Sequence, residues 1–321
     1  MKFSFKLPQF ASPKTLHENG VLGMNERNHA YIMRYNNRKD YPDVDDKLRT
    51  KKLALEHGVS TAEYLGAIDC QFQVRSFFNI VKSVPDFVIK PGHGSGGRGI
   101  LVITRHDGKT FYKPNGTSCD YNFIYEHISN ILSGLYSLGG NPDYALFERC
   151  IDFSDVYSRF SYQGVPDVRL IVFRGYPVMS MIRLATKLSD GRANLHQGAI
   201  GVGISIKTGL PLFAAQHNKR IEVHPDTNAN LSELRIPFWD EHLRLAALCA
   251  TMTPLGYFGA DISTDSKRGP LLLELNARPG LAIQIANGCG LLKRLRLIES
   301  LPDNAHATIE EKIEFSKQNF N

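Results

Sequence analysis

Hydrophobic positions along the chain switch repeatedly between a helical period and a strand period, and the switches mark out its regions. Residues 1–45 sustain neither period. Pro8, Pro13, Gly20, Gly23 and Pro42 interrupt a stretch rich in Asn, Arg and Tyr, which predicts an irregular or short-helical leader. A helix is expected over 47–57, with Asp45 or Asp46 as its N-cap and Gly58 where a left-handed residue would end it. Val74, Phe77, Phe78 and Val81 fall at i, i+3, i+4 and i+7, predicting a second helix closed off by Pro85. Residues 87–90 and 100–104 then read as strands on either side of a glycine-rich loop, followed by a turn at Asp107-Gly108.

Ile124, Ile128, Ile131, Leu132 and Leu135 predict a helix ahead of Gly139-Gly140, and 145–149 a short buried strand. Strand pairs follow at 168–173 with 178–184 across Gly175, and at 200–206 with 210–214 across Thr208-Gly209. A helix over 239–252 precedes strands at 257–262 and 271–276, joined through Ser266 to Pro270. The tail after Pro302 reads as one surface helix, and no internal repeat is visible.

Composition narrows the class. At 321 residues, 42% apolar and 22% charged, the chain has room for two or three lobes around a shared cleft. Lys and Arg exceed Asp and Glu by 38 to 32, which suits a polyanionic ligand. The basic residues form no run and no nucleic-acid module is present, so nucleic acid is not the expected partner. Cys70, Cys119, Cys150, Cys249 and Cys289 lack metal-knuckle or redox spacing and are expected to be reduced core residues of a cytoplasmic protein. No signal peptide, anchor or membrane span is predicted.

The glycine loop carries the first chemistry. From Gly92 to Gly99 five of eight residues are glycine, a density that lets backbone N–H groups approach phosphate oxygens. A dinucleotide site would need a helix directly afterwards, but the β-type residues Ile100 to Thr104 follow instead, and no Gly-Lys-Ser/Thr of a Walker loop is present. The loop is therefore the tip of a β-hairpin. The second constellation is Asp261, Glu274 and Asn276. Glu274 and Asn276 lie two apart on one expected strand and share a face, with Asp261 on its neighbour. Three hard oxygen donors so placed suit Mg²⁺, the alternative being a hydrogen-bonded polar ladder at a sheet edge.

Together these segments resemble the ATP-grasp superfamily, most closely its RimK-like or α-L-glutamate ligase-like branch, also grouped as sugar-transfer-associated ATP-grasp proteins. The resemblance spans roughly residues 20 to 292 and opens on Leu22-Gly23-Met24-Asn25-Glu26-Arg27-Asn28 and on Val44-Asp45-Asp46-Lys47-Leu48-Arg49-Thr50-Lys51. It implies an α/β (α+β) chain with the ATP-grasp fold, two α+β lobes clamping ATP behind a truncated N-terminal pre-ATP-grasp region. Its parts would be the leader 1–45, an N-lobe 46–147 with the phosphate lid, a C-lobe 148–300 with metal and substrate sites, and a tail helix 301–321.

By the same resemblance Lys47, Lys90 and the lid residues Gly94, Ser95, Gly96 and Gly97 would meet the phosphates. Glu148 with the backbone of Arg149, Cys150 and Ile151 would form the adenine hinge, and Asp167 would sit near the ribose. Arg192-Ala193-Asn194-Leu195-His196 would lie near the γ-phosphate and acceptor, with Arg192 and Asn194 catalytic and His196 on the substrate. Asp261, Glu274 and Asn276 would hold one or two Mg²⁺ ions, or Mn²⁺ in their place. Arg169, Arg183 and Lys187 are expected to offset charge on the transferring group, unless they only face solvent. Arg278 is expected to bind a substrate carboxylate, unless it anchors the Pro279-Gly280 turn through a salt bridge. His93 either touches phosphate or is an exposed loop residue.

The activity implied is an ATP- and Mg-dependent carboxylate–amine ligase working through an acyl phosphate on small-molecule or peptide substrates. The alternatives are an ATP-grasp kinase acting on a hydroxyl or sugar, and a non-catalytic nucleotide-binding protein. Membrane-protein partners and a homodimer are both compatible with the resemblance.

Overall fold

The computed structural model describes residues 11–94, 96–153, 155–302 and 307–320. The strands among them are β1 (Tyr64–Ile68), β2 (Phe87–Pro91), β3 (Leu101–Ile103), β4 (Arg105–His106), β5 (Thr110–Tyr112), β6 (Ser118–Asp120) and β7 (Ala145–Glu148), then β8 (Asp167–Phe173), β9 (Tyr176–Leu184), β10 (Ile200–Ile204), β11 (Pro211–Gln216), β12 (Lys219–Arg220), β13 (Tyr257–Asp265) and β14 (Gly269–Asn276). They form a small four-stranded sheet ordered β1-β7-β2-β3, a large seven-stranded sheet ordered β12-β11-β10-β9-β8-β13-β14, and a separate three-stranded ribbon β4-β5-β6. Every pairing between these strands is antiparallel, which makes the chain α+β.

Two hydrophobic cores follow from this division. The smaller one gathers Ile68, Val74, Phe77, Val81, Phe87, Ile89, Ile103, Phe111 and Phe147 with Ile124, Ile128 and Ile131 of the helix Tyr121–Leu132. The larger one packs the seven-stranded sheet against the helix Trp239–Leu248 and takes in Leu22, Tyr31, Ile32, Val44 and Ala54 from the first fifty-odd residues. Those residues wind as short helical pieces, as their broken pattern predicts, and the helix Lys47–Glu56 adds Ala54 to the large core. The small core is thus drawn from residues 68–147 alone, an insertion into the larger body.

The insertion has paired ends. Tyr64 on β1 is the register partner of Glu148 on β7, and the Arg149 N–H donates to Glu63 O at 3.0 Å. A third cluster, Ala62, Ile151 and Leu271 with Phe153 and Leu273 against it, seals this junction.

Local sequence explains most elements. Asp46, not Asp45, caps the helix Lys47–Glu56, its carboxylate accepting from Arg49 N–H at 3.0 Å, and Gly58 has φ +69°. The helix expected through Val74 to Val81 is broken into the turns Gln71–Val74 and Phe78–Val81. The residues between them make tight i→i−3 bonds, Ser76 to Gln73, Phe77 to Val74 and Asn79 to Ser76. The Tyr121 hydroxyl takes the Arg75 carbonyl that an α-helix would have used. The apolar face survives the break, since Val74, Phe77 and Val81 are fully buried.

The cysteines depart from expectation, because only Cys249 is buried while Cys70 and Cys289 are exposed; all are free thiols. The tail helix Ile309–Asn319 carries a capping box at Thr308 and Glu311 and packs on β9 and on the helix Trp239–Leu248. Among the described residues no helix is long and apolar enough to cross a membrane.

Candidate active site

A cleft opens where the small sheet, the helix Lys47–Glu56 and β14 come together. It is lined by Lys47, Lys51, Lys90, Glu148 and Glu274, with Thr50 and Leu273 among the residues between them. Lys90 leaves β2 and Glu148 leaves β7, the strand beside it, so the two meet across the small sheet. Glu148, 4% exposed, takes Lys51 Nζ on one oxygen and Lys90 Nζ on the other, each at 2.5 Å. Burial alone would raise the Glu148 carboxyl, but Lys90 and Lys51 outweigh it and hold the group below the ordinary glutamate range.

One carboxylate between two ammoniums leaves positive charge over, and Lys47 adds more. Burial lowers the Lys47 ammonium, with Glu274 opposing and Lys90 reinforcing the shift. Lys51 is lowered likewise, first by burial and then by Lys90, against the pull of Glu148. Lys47 Nζ donates to Gly94 O at 2.7 Å and so reaches into the glycine loop.

The loop itself has positive φ at Gly96, Gly97 and Gly99, and a Cβ on Gly99 would fall 2.5 Å from the Tyr136 ring. Its base is held down by Asp143, which accepts from His93 N–H at 3.0 Å and from the His93 ring Nδ1 at 2.8 Å. His93 therefore belongs to the anchoring of the loop. Ser95 lies outside the described residues. A Cβ on Gly96 would stand 3.8 Å from Asn194 Nδ2, so the loop tip and the Arg192–Gly198 segment of the other lobe approach each other.

On the large sheet the register places a polar row on one face. Asp167 pairs with Arg183, Arg169 with Asp261, and Asp261 with Glu274, while Asn276 follows Glu274 by two. Asp261, 1% exposed, accepts from Arg169 Nε at 2.7 Å and from Arg183 at 2.6 Å, and Arg183 also pairs with Asp167. Neither arginine faces solvent. Burial would raise Asp261, but Arg169 and Arg183 prevail and lower it; Asp167 is raised by burial and by its neighbour Asp261 against the pull of Arg183.

Glu274 is differently placed. It is half-buried at the cleft, where Lys47 feels its charge, and Asn276 beside it accepts Arg278 N–H on Oδ1 at 2.8 Å. Among the described residues no three His, Cys, Asp or Glu side chains converge as a metal site. A divalent cation here would rest on Glu274 and Asn276 with phosphate and water oxygens completing its shell, and Asp261 could add only the one lone pair that its three guanidinium bonds leave on Oδ1.

In the segment expected to form the adenine hinge, Arg149 N–H is bonded to Glu63 O and Cys150 N–H to Asp86 Oδ1, and the Arg149 side chain pairs with the same Asp86. Burial pushes the Cys150 thiol up to about 12. Ile151 lines the apolar junction with Ala62 and Leu271. The remaining expected residues lie outward. Lys187 is exposed over the Tyr162 ring, Arg192 and His196 are exposed, and Arg278 pairs with Asp45 at 2.8 Å. Asp143 and the apolar Ala62 and Leu273 escaped the sequence reading as site residues, and Lys51 closes the segment Val44–Lys51 without a role assigned to it there. Only Lys51 carried a signal, standing one helical turn after Lys47.

A family model described as sugar-transfer associated ATP-grasp matches residues 26–300. The chain belongs to that family. Solved structures to which this ATP-grasp chain is similar include the ATP-grasp ligase PsnB complexed with minimal precursor, at 16% identity and TM-score 0.46, covering 81% of this chain and 60% of that one. D-cycloserine synthetase DcsG matches at 14% identity and TM-score 0.42, over 85% of this chain and 71% of that one. N5-carboxyaminoimidazole synthetase from Staphylococcus aureus, complexed with ADP, matches at 11% identity and TM-score 0.43, over 74% and 45%. The chain thus spans about three fifths of the length of PsnB. No curated protein matches the sequence.

Proposed function

We propose that this ATP-grasp chain is a Mg-ATP-dependent ligase that activates a carboxylate and joins it to an amine. The observation that carries the reading is the single cleft shared by Lys47, Lys51 and Lys90 with Glu274. Surplus lysine charge on one wall and an open carboxylate on the other suit a triphosphate bound with a divalent cation between them. Glu274 and Asn276 would hold Mg²⁺, which when bound supplies neutralisation of the phosphate oxygens.

In this reading the loop amides and the lysines hold the triphosphate, and the adenine lies against Ala62, Ile151 and Leu273. A substrate carboxylate oxygen attacks the γ-phosphorus and ADP leaves, giving an acyl phosphate. The amine nitrogen then attacks the acyl carbon, phosphate departs and the amine gives up a proton. The protein's task is to position and to stabilise charge, and no side-chain nucleophile is needed. The Arg169–Asp261–Arg183–Asp167 network fixes the floor of the site. Arg192, Asn194, His196 and Arg278 border the side from which a small-molecule or peptide substrate enters.

The test is an ADP-release screen of pooled acids against pooled amines, with products read by mass spectrometry. The ligase reading expects ADP and phosphate to appear only when an acid and an amine are both present. A stable phosphorylated product with no amide would replace it with the kinase.

A further inference from the structure

The segment around Leu22 to Asn28, singled out in the sequence, has no place in the nucleotide cleft, yet the leader reaches the active site from behind. Three of its residues seize the turn that directly follows Asn276. Arg27 donates from Nη1 to Pro279 O at 2.9 Å, while its Nε and Nη2 both donate to Asn28 Oδ1, so the guanidinium is aimed before it meets the turn. Asn36, 3% exposed, donates to Ala277 O at 3.1 Å and to Tyr257 O at 2.6 Å, and accepts from Tyr257 N–H at 2.9 Å. Asp45 accepts from Arg278 at 2.8 Å, with the Tyr41 ring under the guanidinium.

The sheet side is shaped to receive the turn. Gly259 is the register partner of Asn276, and a Cβ there would come within 2.9 Å of Pro279 Cβ, so only a glycine lets the turn fold back on β13. Asn36 thereby joins the start of β13 to the end of β14. The turn in turn holds Asn276, because Arg278 N–H occupies one side of its Oδ1 and fixes the direction in which the other lone pair points.

We infer that Arg27 and Asn36 are positioning residues for the cation-binding amide: through the Ala277–Pro279 turn they hold Asn276 in the orientation that receives a divalent ion. This rests on the ligand role proposed for Asn276. The leader therefore works as a brace on the metal strand. Outer partners that orient metal ligands cost affinity when removed, on the order of tenfold or more.

The experiment titrates the full chain with Mn²⁺ in the presence of a non-hydrolysable ATP analogue, following free Mn²⁺ by electron paramagnetic resonance. Native chain, Arg27→Ala, Arg27→Lys and Asn36→Ala are compared, each with its melting temperature and its affinity for metal-free analogue. Arg27→Ala is expected to weaken Mn²⁺ binding on the order of tenfold, with melting and metal-free affinity unchanged, and Arg27→Lys to recover part of the loss. Asn36→Ala is expected to weaken Mn²⁺ binding more strongly than metal-free affinity, and to lower the melting temperature as its three buried hydrogen bonds are lost. Should its buried hydrogen bonds prove indispensable for folding, the half-buried Arg27 decides the matter alone. Native Mn²⁺ affinity in Arg27→Ala, or an equal loss with and without metal, overturns the brace. A native chain that binds the analogue but takes up no Mn²⁺ would instead remove the metal assignment on which it rests.

Discussion

The two buried charged clusters of the molecule use opposite arithmetic. Lys90 of the small sheet and Lys51 of the helix Lys47–Glu56 share the one carboxylate of Glu148, with Lys47 beside them. On the large sheet Arg169 and Arg183 meet Asp167 and Asp261, two cations for two anions, almost wholly buried. The balanced group neutralises its charge within itself. The unbalanced group carries a deficit of negative charge that a phosphate chain would make good. Counting partners, rather than noting charged residues, separates ligand-binding groups from framework.

The largest effect that could break this contrast is in the framework. Arg183→Met leaves two buried carboxylates to one guanidinium and is expected to lower stability by about 3 to 5 kcal/mol, read by urea unfolding. A loss near zero would mean that the arginine is not architectural. Lys90→Ala is expected to behave in the opposite way. Glu148 keeps Lys51, so unfolding moves little, while affinity for a non-hydrolysable ATP analogue falls by about 1.5 to 3 kcal/mol in calorimetry. Unaltered affinity would put the phosphates elsewhere.

A pH experiment sharpens the same point more finely. The Glu148 carboxyl is held below its ordinary value of 4.5, so its stabilising contribution is complete above that pH and is lost as pH falls through the lower folded value. Glu148→Gln should therefore flatten the fall in melting temperature below about pH 4.5; a slope equal to the native one would show the pairing to be energetically idle. The smallest effect belongs to the exposed pair of Arg278 and Asp45. Asp45→Ala should change unfolding stability by no more than about 1 kcal/mol, and a larger loss would place that pair among the buried kind.

How much of this could be read from the chain depends on how local each cause is. The cap at Asp46, the hairpins across Gly175 and Thr208-Gly209, and the strands ending in Asn276 rest on neighbouring residues, and they appear where expected. β1 went unseen because Tyr64–Ile68 has no alternation of its own and is defined by its pairing with β7. The site divides along the same line. Lys90 and the glycine loop announce themselves by composition, whereas the tie of Glu148 to Lys51 spans nearly a hundred residues. Arg169 and Arg183 were visible as charges, but their bond to Asp261 needed the register of three strands.

The chain enters the small lobe at Glu63 and leaves it at Arg149, and these two residues are hydrogen-bonded to each other. The far side of the insertion is fastened as well, because Lys47 Nζ donates to Gly94 O at 2.7 Å and the Tyr144 hydroxyl donates to Asp46 Oδ1 at 2.7 Å. The lobe is thus pinned at two places, by its own paired ends and by the start of the helix Lys47–Glu56.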